Sequence, residues 1–353
     1  MTVIQLGLWM IVKTGDQQID FLTILSKTES KKLLNAALAR LNEHMDWESF
    51  RPILERYLDY KDQRKGGRIP WCPVLMLKVL ILQKYYGLSD EQTEQQIRDR
   101  LSFMGFLELR LGDDVPDQKT IWAFKERLGE SCIRLLFDTF KEKLKTENLI
   151  VKEGKIIDAS FVEMPRQRNS KDENKEIKAG KRPEGFDKNP HRGRQKDTDA
   201  RWVKKNKEKY YGYKNNIRID AKSKLIDNYS VTDASVHDSQ SLEDLFYPED
   251  EGLTLWADSA YTGGKIQSFI SSKASVSKIN EKAQRNKPLT ADQKALNRKK
   301  SKIRCRVEHV FGRAKQFSAH WFRRVGIQRA EFEIGMGNLL YNIDRYCMLM
   351  QRA

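Results

Sequence analysis

A chain of 353 residues is long enough to bury a sizeable core and to divide into two units. Its 65 Lys and Arg against 49 Asp and Glu give a net charge of +16 and a sequence pI of about 9.5, which points to a polyanionic partner, nucleic acid ahead of an acidic membrane surface. The mean hydropathy of −0.69, with no apolar run near the roughly 20 residues that cross a bilayer, excludes a helical membrane span.

The opening Val3–Val12 is apolar but has no basic residues ahead of it and no small-residue cleavage site, so it reads as a strand or a packed arm rather than a signal peptide. Cys72, Cys132, Cys305 and Cys347 are far apart with no Cys-x-x-Cys pair, which argues against a zinc site or a disulfide framework and fits a reducing cytoplasm.

Residues 1–150 read as a first, helical domain, mostly helical from about Ser30 to Asn148. Lys31–His44 and Trp47–Tyr60 alternate apolar and charged positions with helical period, and Gly66-Gly67 marks a break. Pro73 opens an apolar helix, Val74–Tyr86, that Gly87 ends, and Ser89-Asp-Glu-Gln92 is a capping box for the next one. Leu101–Leu111 follows, Asp117 is the expected cap of Lys119–Leu128, and a last amphipathic helix runs to Lys145. Short helices joined by tight turns suit a helix-turn-helix reader of DNA and suit an ordinary bundle equally, and no base-reading signature separates the two.

At Lys155 the pattern changes from helix to strand, and 151–353 reads as a second, α/β unit. Ile156–Val162 is an apolar run with Asp158 set into it. Residues 165–209 are polar and basic with few aliphatics, which predicts a long loop. As a cationic arm it would lay Arg192, Arg194, Lys196, Arg201, Lys204 and Lys205 along phosphates. Tyr210–Ile219 and Leu225–Thr232 alternate around the turn Ala221–Lys224, a hairpin. His237-Asp238 leads into a predicted helix, Leu242–Phe246, capped by Asp238 or Ser239; this pair either sits beside the site or is simply the loop before that helix. Leu253–Asp258 is a strand ending in a carboxylate, Gly263-Gly264 turns into a helix over Lys265–Ser271, and Ser275–Ile279 is a last short strand.

The stretch Lys294–Gln316 is expected to be helical. At about 100° per residue, Arg304, Glu308 and Lys315 fall within roughly 40° of one another, beside an apolar stripe of Ile303, Val307, Val310 and Ala314. Glu308 thus lies among Arg298, Lys299, Lys300 and Lys302, as suits a metal-binding acid next to a polyanion; a solvated helix with ion pairs has the same charge pattern. Two strands each carry one Asp beside an apolar run, and Glu308 follows on the helix. Buried carboxylates are costly unless paired or metal-bound, and three converging acids suit hard divalent cations, two Mg²⁺ with Mn²⁺ as a substitute. Such a pair activates water or a 3′-hydroxyl in an in-line phosphoryl displacement. Trp256 and Tyr261 flank Asp258; stacking on a displaced base is one reading of either, and packing in the sheet is their expected place.

Lys155-Ile-Ile-Asp158-Ala-Ser-Phe-Val162, Asp197–Arg201 with Trp202, Tyr210-Tyr-Gly-Tyr-Lys214, Val231–Asp238, Ala257-Asp258-Ser-Ala-Tyr-Thr-Gly263 and Arg306-Val-Glu308-His-Val-Phe-Gly312 together resemble the insertion-sequence-five family of bacterial DDE transposases. The likeness extends to Trp47–Leu54, Pro73–Arg100 and Val115–Leu128, nearly the whole chain after about residue 30. It implies a ribonuclease H-like catalytic domain behind an all-helical domain that binds DNA ends. Asp158, Asp258 and Glu308 match the acidic triad, with 99 and 49 residues between them. The family's signature around the Glu also has Arg and Lys, here Arg304 and Lys315, implied to hold transposon-end phosphates; its Tyr is replaced by Ser301. The reading that follows is a transposase on double-stranded DNA that binds terminal inverted repeats, hydrolyses phosphodiesters at the ends and joins the 3′-hydroxyls to target DNA, as a homodimer on its two ends. A DNA-binding regulator or a nuclease of the same fold is the alternative.

Overall fold

The computed structural model describes residues 3–6, 10–13, 35–58, 69–151, 154–205, 207–248, 250–273, 276–283 and 288–352. The expected Gly66-Gly67 break and the start of the Lys31–His44 helix lie outside them. Two compact units emerge, Met1–Asp138 with Asn342–Ala353, and Thr139–Tyr341.

The first unit is helical apart from an antiparallel pair of strands, β1 (Val3–Leu6) and β2 (Met10–Lys13), within the opening stretch read as a strand or a packed arm. Helices α1 (Ala36–His44) and α2 (Arg51–Leu58) bury Leu38, Leu41, Leu54 and Leu58. Helix α3 (Pro73–Tyr86) is buried on every side from Pro73 to Lys84, as its largely apolar run demands, and ends at Gly87 in the left-handed conformation. The Ser89–Gln92 capping box forms on α4 (Asp90–Asp99). Helix α5 (Leu101–Leu107) stops four residues short of the expected Leu111, with Glu108 left-handed at its end. Asp117 accepts from Thr120 N–H at 2.7 Å at the head of α6 (Gln118–Thr146), which Gly129 interrupts with φ 62°.

The second unit is a six-stranded mixed sheet with flanking helices. Strand β3 (Lys155–Glu163) runs antiparallel to β5 (Glu208–Asp220), which pairs on its other side with β4 (Arg201–Lys205) and β6 (Ile226–Asp233). On the far side of β3 lie β7 (Thr254–Trp256) and β8 (Val276–Ser277), both parallel to their neighbours. Gly212 on β5 has φ 146°, and a Cβ there would lie 2.3 Å from the Val162 carbonyl oxygen, so only glycine lets β5 pass from β3 to β4.

Residues 165–209 form no open arm. They fold into α7 (Lys171–Lys178), α8 (Glu184–Lys188), α9 (Pro190–Arg194) and then β4. A Ser170–Glu173 capping box starts the first helix, and Ile177 and Phe186 are its buried anchors. Asp197 then fastens the segment. Fully buried, it accepts from the backbone N–H groups of Asp199 and Ala200, from the Tyr213 hydroxyl at 2.9 Å, and from Gly326 N–H at 3.0 Å. Asp199 accepts from Ile327 N–H at 2.9 Å, so both acids hold the head of α13 (Ile327–Met350).

Between Leu225 and the carboxyl end of the sheet, the expected helix Leu242–Phe246 is instead two 3₁₀ turns, Asp238–Ser241 and Glu243–Leu245, and helix α10 (Gly264–Ser272) lies where expected. The single helix expected over Lys294–Gln316 is two: α11 (Ala291–Arg304) and α12 (Arg306–Gln316), parted at Cys305 with ψ −9°.

Candidate active site

The register of the sheet brings two of the acids together. Ile156 pairs with Trp256 across parallel strands, so Asp158 and Asp258 each lie two residues further along neighbouring chains running the same way. Asp158 is still within β3, where its Oδ1 accepts from Ala159 N–H at 2.8 Å. Asp258 has left β7 and caps the 3₁₀ turn Ser259–Tyr261, accepting from Ala260 N–H at 2.7 Å.

The third acid arrives through Arg304. This last residue of α11 places Nη1 2.7 Å from Asp158 Oδ2 and 3.6 Å from Glu308 Oε1, while Glu308 stands exposed in the first turn of α12. Burial pushes the Asp158 carboxyl up to about 6; the Ala159 N–H and the Arg304 guanidinium oppose the rise, and the negative charges of Asp258 and Glu308 add to it. Asp258 and Glu308 therefore both act on Asp158, with Arg304 between Asp158 and Glu308.

Around this group lie Tyr261 and the Lys214–Asp238 pair. Tyr261 is buried in the apolar cluster formed with Ile157, Leu255, Ala257 and Ile270, the packed place expected of it. Burial raises its phenol well above the ordinary value, helped by the charges of Asp158, Asp238 and Asp258. Lys214 Nζ donates to Asp238 Oδ1 at 2.7 Å and to the Val236 carbonyl. His237 is exposed and turned to local work, its Nδ1 accepting from Ser239 N–H at 3.3 Å as the cap of the following turn.

The predicted phosphate contacts divide into two groups. Arg298, Lys299, Lys302 and Lys315 are exposed on α11 and α12, and Arg194 and Lys204 are exposed on the inserted segment. Others are already paired with groups of the protein itself. Arg201 donates to the carbonyls of Thr198 and Ile177, Arg192 pairs with Glu173 at 2.6 Å, Lys196 reaches the Arg168 carbonyl at 2.7 Å, and Lys300 donates to the Ile279 carbonyl at 2.9 Å. Charge counting along the chain misses this because carbonyls and carboxylates of the fold also accept from Lys and Arg, and their positions are set only on folding.

The donor set fits a hard divalent ion in chemistry: three carboxylates, two at one level of the sheet. Among the described residues no three His, Cys, Asp or Glu side chains stand close enough to hold a metal ion together, and Arg304 lies against both Asp158 and Glu308.

Hard-oxygen acids at the end of a mixed sheet, next to a basic helix, make an acid site suited to phosphodiesters. Residues 151–343 match the transposase DDE domain, and residues 26–127 match a second family, the Transposase domain (DUF772). No solved structure matches the chain. The first match spans more than half of the sequence, and the chain belongs to the transposase DDE domain family. It is thus a DNA transposase, a polynucleotidyl transferase of a class that uses divalent metals. Membership implies a ribonuclease H-like fold, with which the order β6-β5-β3-β7-β8 is compatible. No helix among the described residues is long and apolar enough to cross a membrane.

Proposed function

We propose that this transposase binds the terminal inverted repeats of a bacterial insertion sequence of the insertion-sequence-five kind, hydrolyses phosphodiesters at its ends and joins the freed 3′-hydroxyls to target DNA. The observation that carries the reading is the parallel register that sets Asp158 beside Asp258, with Glu308 tied to the same point through Arg304.

Asp158, Asp258 and Glu308 would hold two Mg²⁺ ions, or Mn²⁺ in their place. Bound there, such ions supply activation of the attacking oxygen and stabilisation of the leaving one. The chain's own groups do the rest. Asp258 is oriented by the turn it caps, and Asp158 by the Ala159 N–H. Arg304, released from the acids, supplies a fixed donor fork for a phosphate, and Lys315 a second cation on the following helix. Arg298, Lys299 and Lys302 extend the positive surface along α11 and, with Arg194 and Lys204, hold the DNA backbone. Asp238 lies at the edge of the site, held by Lys214. The helical region before residue 150 recognises the end sequences, and 151–353 carries the chemistry. Two ends are handled together, so a homodimer assembles on DNA.

The test supplies labelled end DNA, Mg²⁺ and a plasmid target to the intact chain. Cleavage with joined product supports the reading, cleavage without joining marks a nuclease, and binding without cleavage a regulator. Asp258→Asn is expected to abolish cleavage and spare end binding; persistent cutting would refute the triad.

A further inference from the structure

Tyr261 is buried in the turn that Asp258 caps, and its hydroxyl has no hydrogen-bond partner. Leaving a buried hydroxyl unpaired costs a few kcal/mol, and native interiors rarely accept that without a use for the group. Its position is built by the site itself. Asp258 caps the 3₁₀ turn that Tyr261 completes, Tyr261 N–H lies 3.3 Å from the Asp258 carbonyl oxygen, and the ring packs on Ile157 and Ala257, the chain neighbours of Asp158 and Asp258. The turn Asp238–Ser241 packs against this one and adds the Asp238 carboxylate, which Lys214 holds at 2.7 Å. A buried donor with no acceptor thus lies where the charges of Asp158, Asp238 and Asp258 all act on it.

Resting on the acid-triad reading above, we propose that Tyr261 is a positioning residue of the cation site: when a divalent ion draws Asp158 and Asp258 together, the phenol hydroxyl donates to this carboxylate pair and fixes which oxygens face the ion. Hydrogen bonds from outside the ligand set commonly decide metal affinity in this way, at 10- to 100-fold per group. The hydroxyl has nothing to hold before the ion arrives, so its contribution is confined to the loaded protein.

The experiment titrates Mn²⁺ into the intact chain without DNA, following free Mn²⁺ by electron paramagnetic resonance, for the natural protein, Tyr261→Phe and Asp258→Asn. Melting temperatures are taken in chelator and in saturating Mn²⁺. For Tyr261→Phe the expected result is an Mn²⁺ dissociation constant raised about tenfold or more. Its melting temperature in chelator should be unchanged or higher, and the Mn²⁺-induced rise smaller. If Asp258→Asn loses Mn²⁺ while Tyr261→Phe binds it as the natural protein does, the role given to Tyr261 falls and the triad stands. If Asp258→Asn also binds as before, the triad falls and takes this inference with it. A Tyr261→Phe protein that melts lower in chelator with unaltered Mn²⁺ affinity shows a merely structural tyrosine and overturns the proposal.

Discussion

The guanidinium of Arg304 stands 2.7 Å from the Asp158 carboxylate, on the side where Glu308 also approaches it at 3.6 Å. One positive charge thereby compensates two acids that would otherwise repel. Its Nε is buried without a partner, so this seat is not a fully satisfied one. A divalent ion held by these acids would compete with Arg304 for the same oxygens. Replacing Arg304 with Met is expected to tighten Mn²⁺ binding about tenfold, near 1.4 kcal/mol, while lowering DNA cleavage. Calorimetric titration of Mn²⁺ reads the first effect, and unchanged affinity would show that Arg304 does not shield the acids.

Asp158 also sets a pH dependence. Its carboxyl is raised to about 6 in the folded protein, against an ordinary value near 4 when unfolded. Between these values the folded state holds a proton that the unfolded state has lost, so stability falls as pH rises from about 4 through about 6, by about 3 kcal/mol at most. Urea denaturation in chelator across this range should show the decline in the natural protein. Asp158→Asn should lack that component, and identical slopes for the two proteins would contradict it.

Asp197 is expected to matter for stability and not for DNA. Its carboxylate satisfies backbone donors of the inserted segment and of Gly326, together with the Tyr213 hydroxyl, all away from water. Asp197→Ala strands these donors and should cost about 3 kcal/mol or more in urea denaturation. A loss under about 1 kcal/mol would mean the segment is held by its apolar anchors instead.

On α11 the exposed cations should act through phosphates. Removing Lys299 and Lys302 together, each to Ala, is predicted to weaken binding to all DNA sequences alike and to lower the slope of log affinity against log salt by about 2. Arg201→Ala serves as the contrast, since its guanidinium is spent on carbonyls: it should lower thermal stability and leave the slope unchanged.

Much of this architecture is written locally in the sequence. The apolar run from Pro73 to Gly87, the Ser89–Gln92 box and the hairpin about Ala221–Lys224 carry their own signals, and each forms. The order of apolar runs from Lys155 onward also gives the mixed sheet. Composition misleads over 165–209, where the mean is polar although two well-placed apolar side chains, Ile177 and Phe186, and one buried acid are enough to organise the segment. The capping box at Ser170 was the available clue. The corner at Cys305 has no such signal, being neither Gly nor Pro, so a continuous helix is the natural sequence reading. Nor does sequence reveal which cations are spent internally. Arg192 and Arg194 are alike on paper, yet only the first faces Glu173.

That corner has a mechanical outcome. It falls between Arg304 and Glu308, so the basic rod α11 and the acid-bearing rod α12 turn about one residue. The exposed cations Arg298, Lys299 and Lys302 and the Glu308 carboxylate are therefore carried by separate helices, with the guanidinium that touches Asp158 at the seam between them.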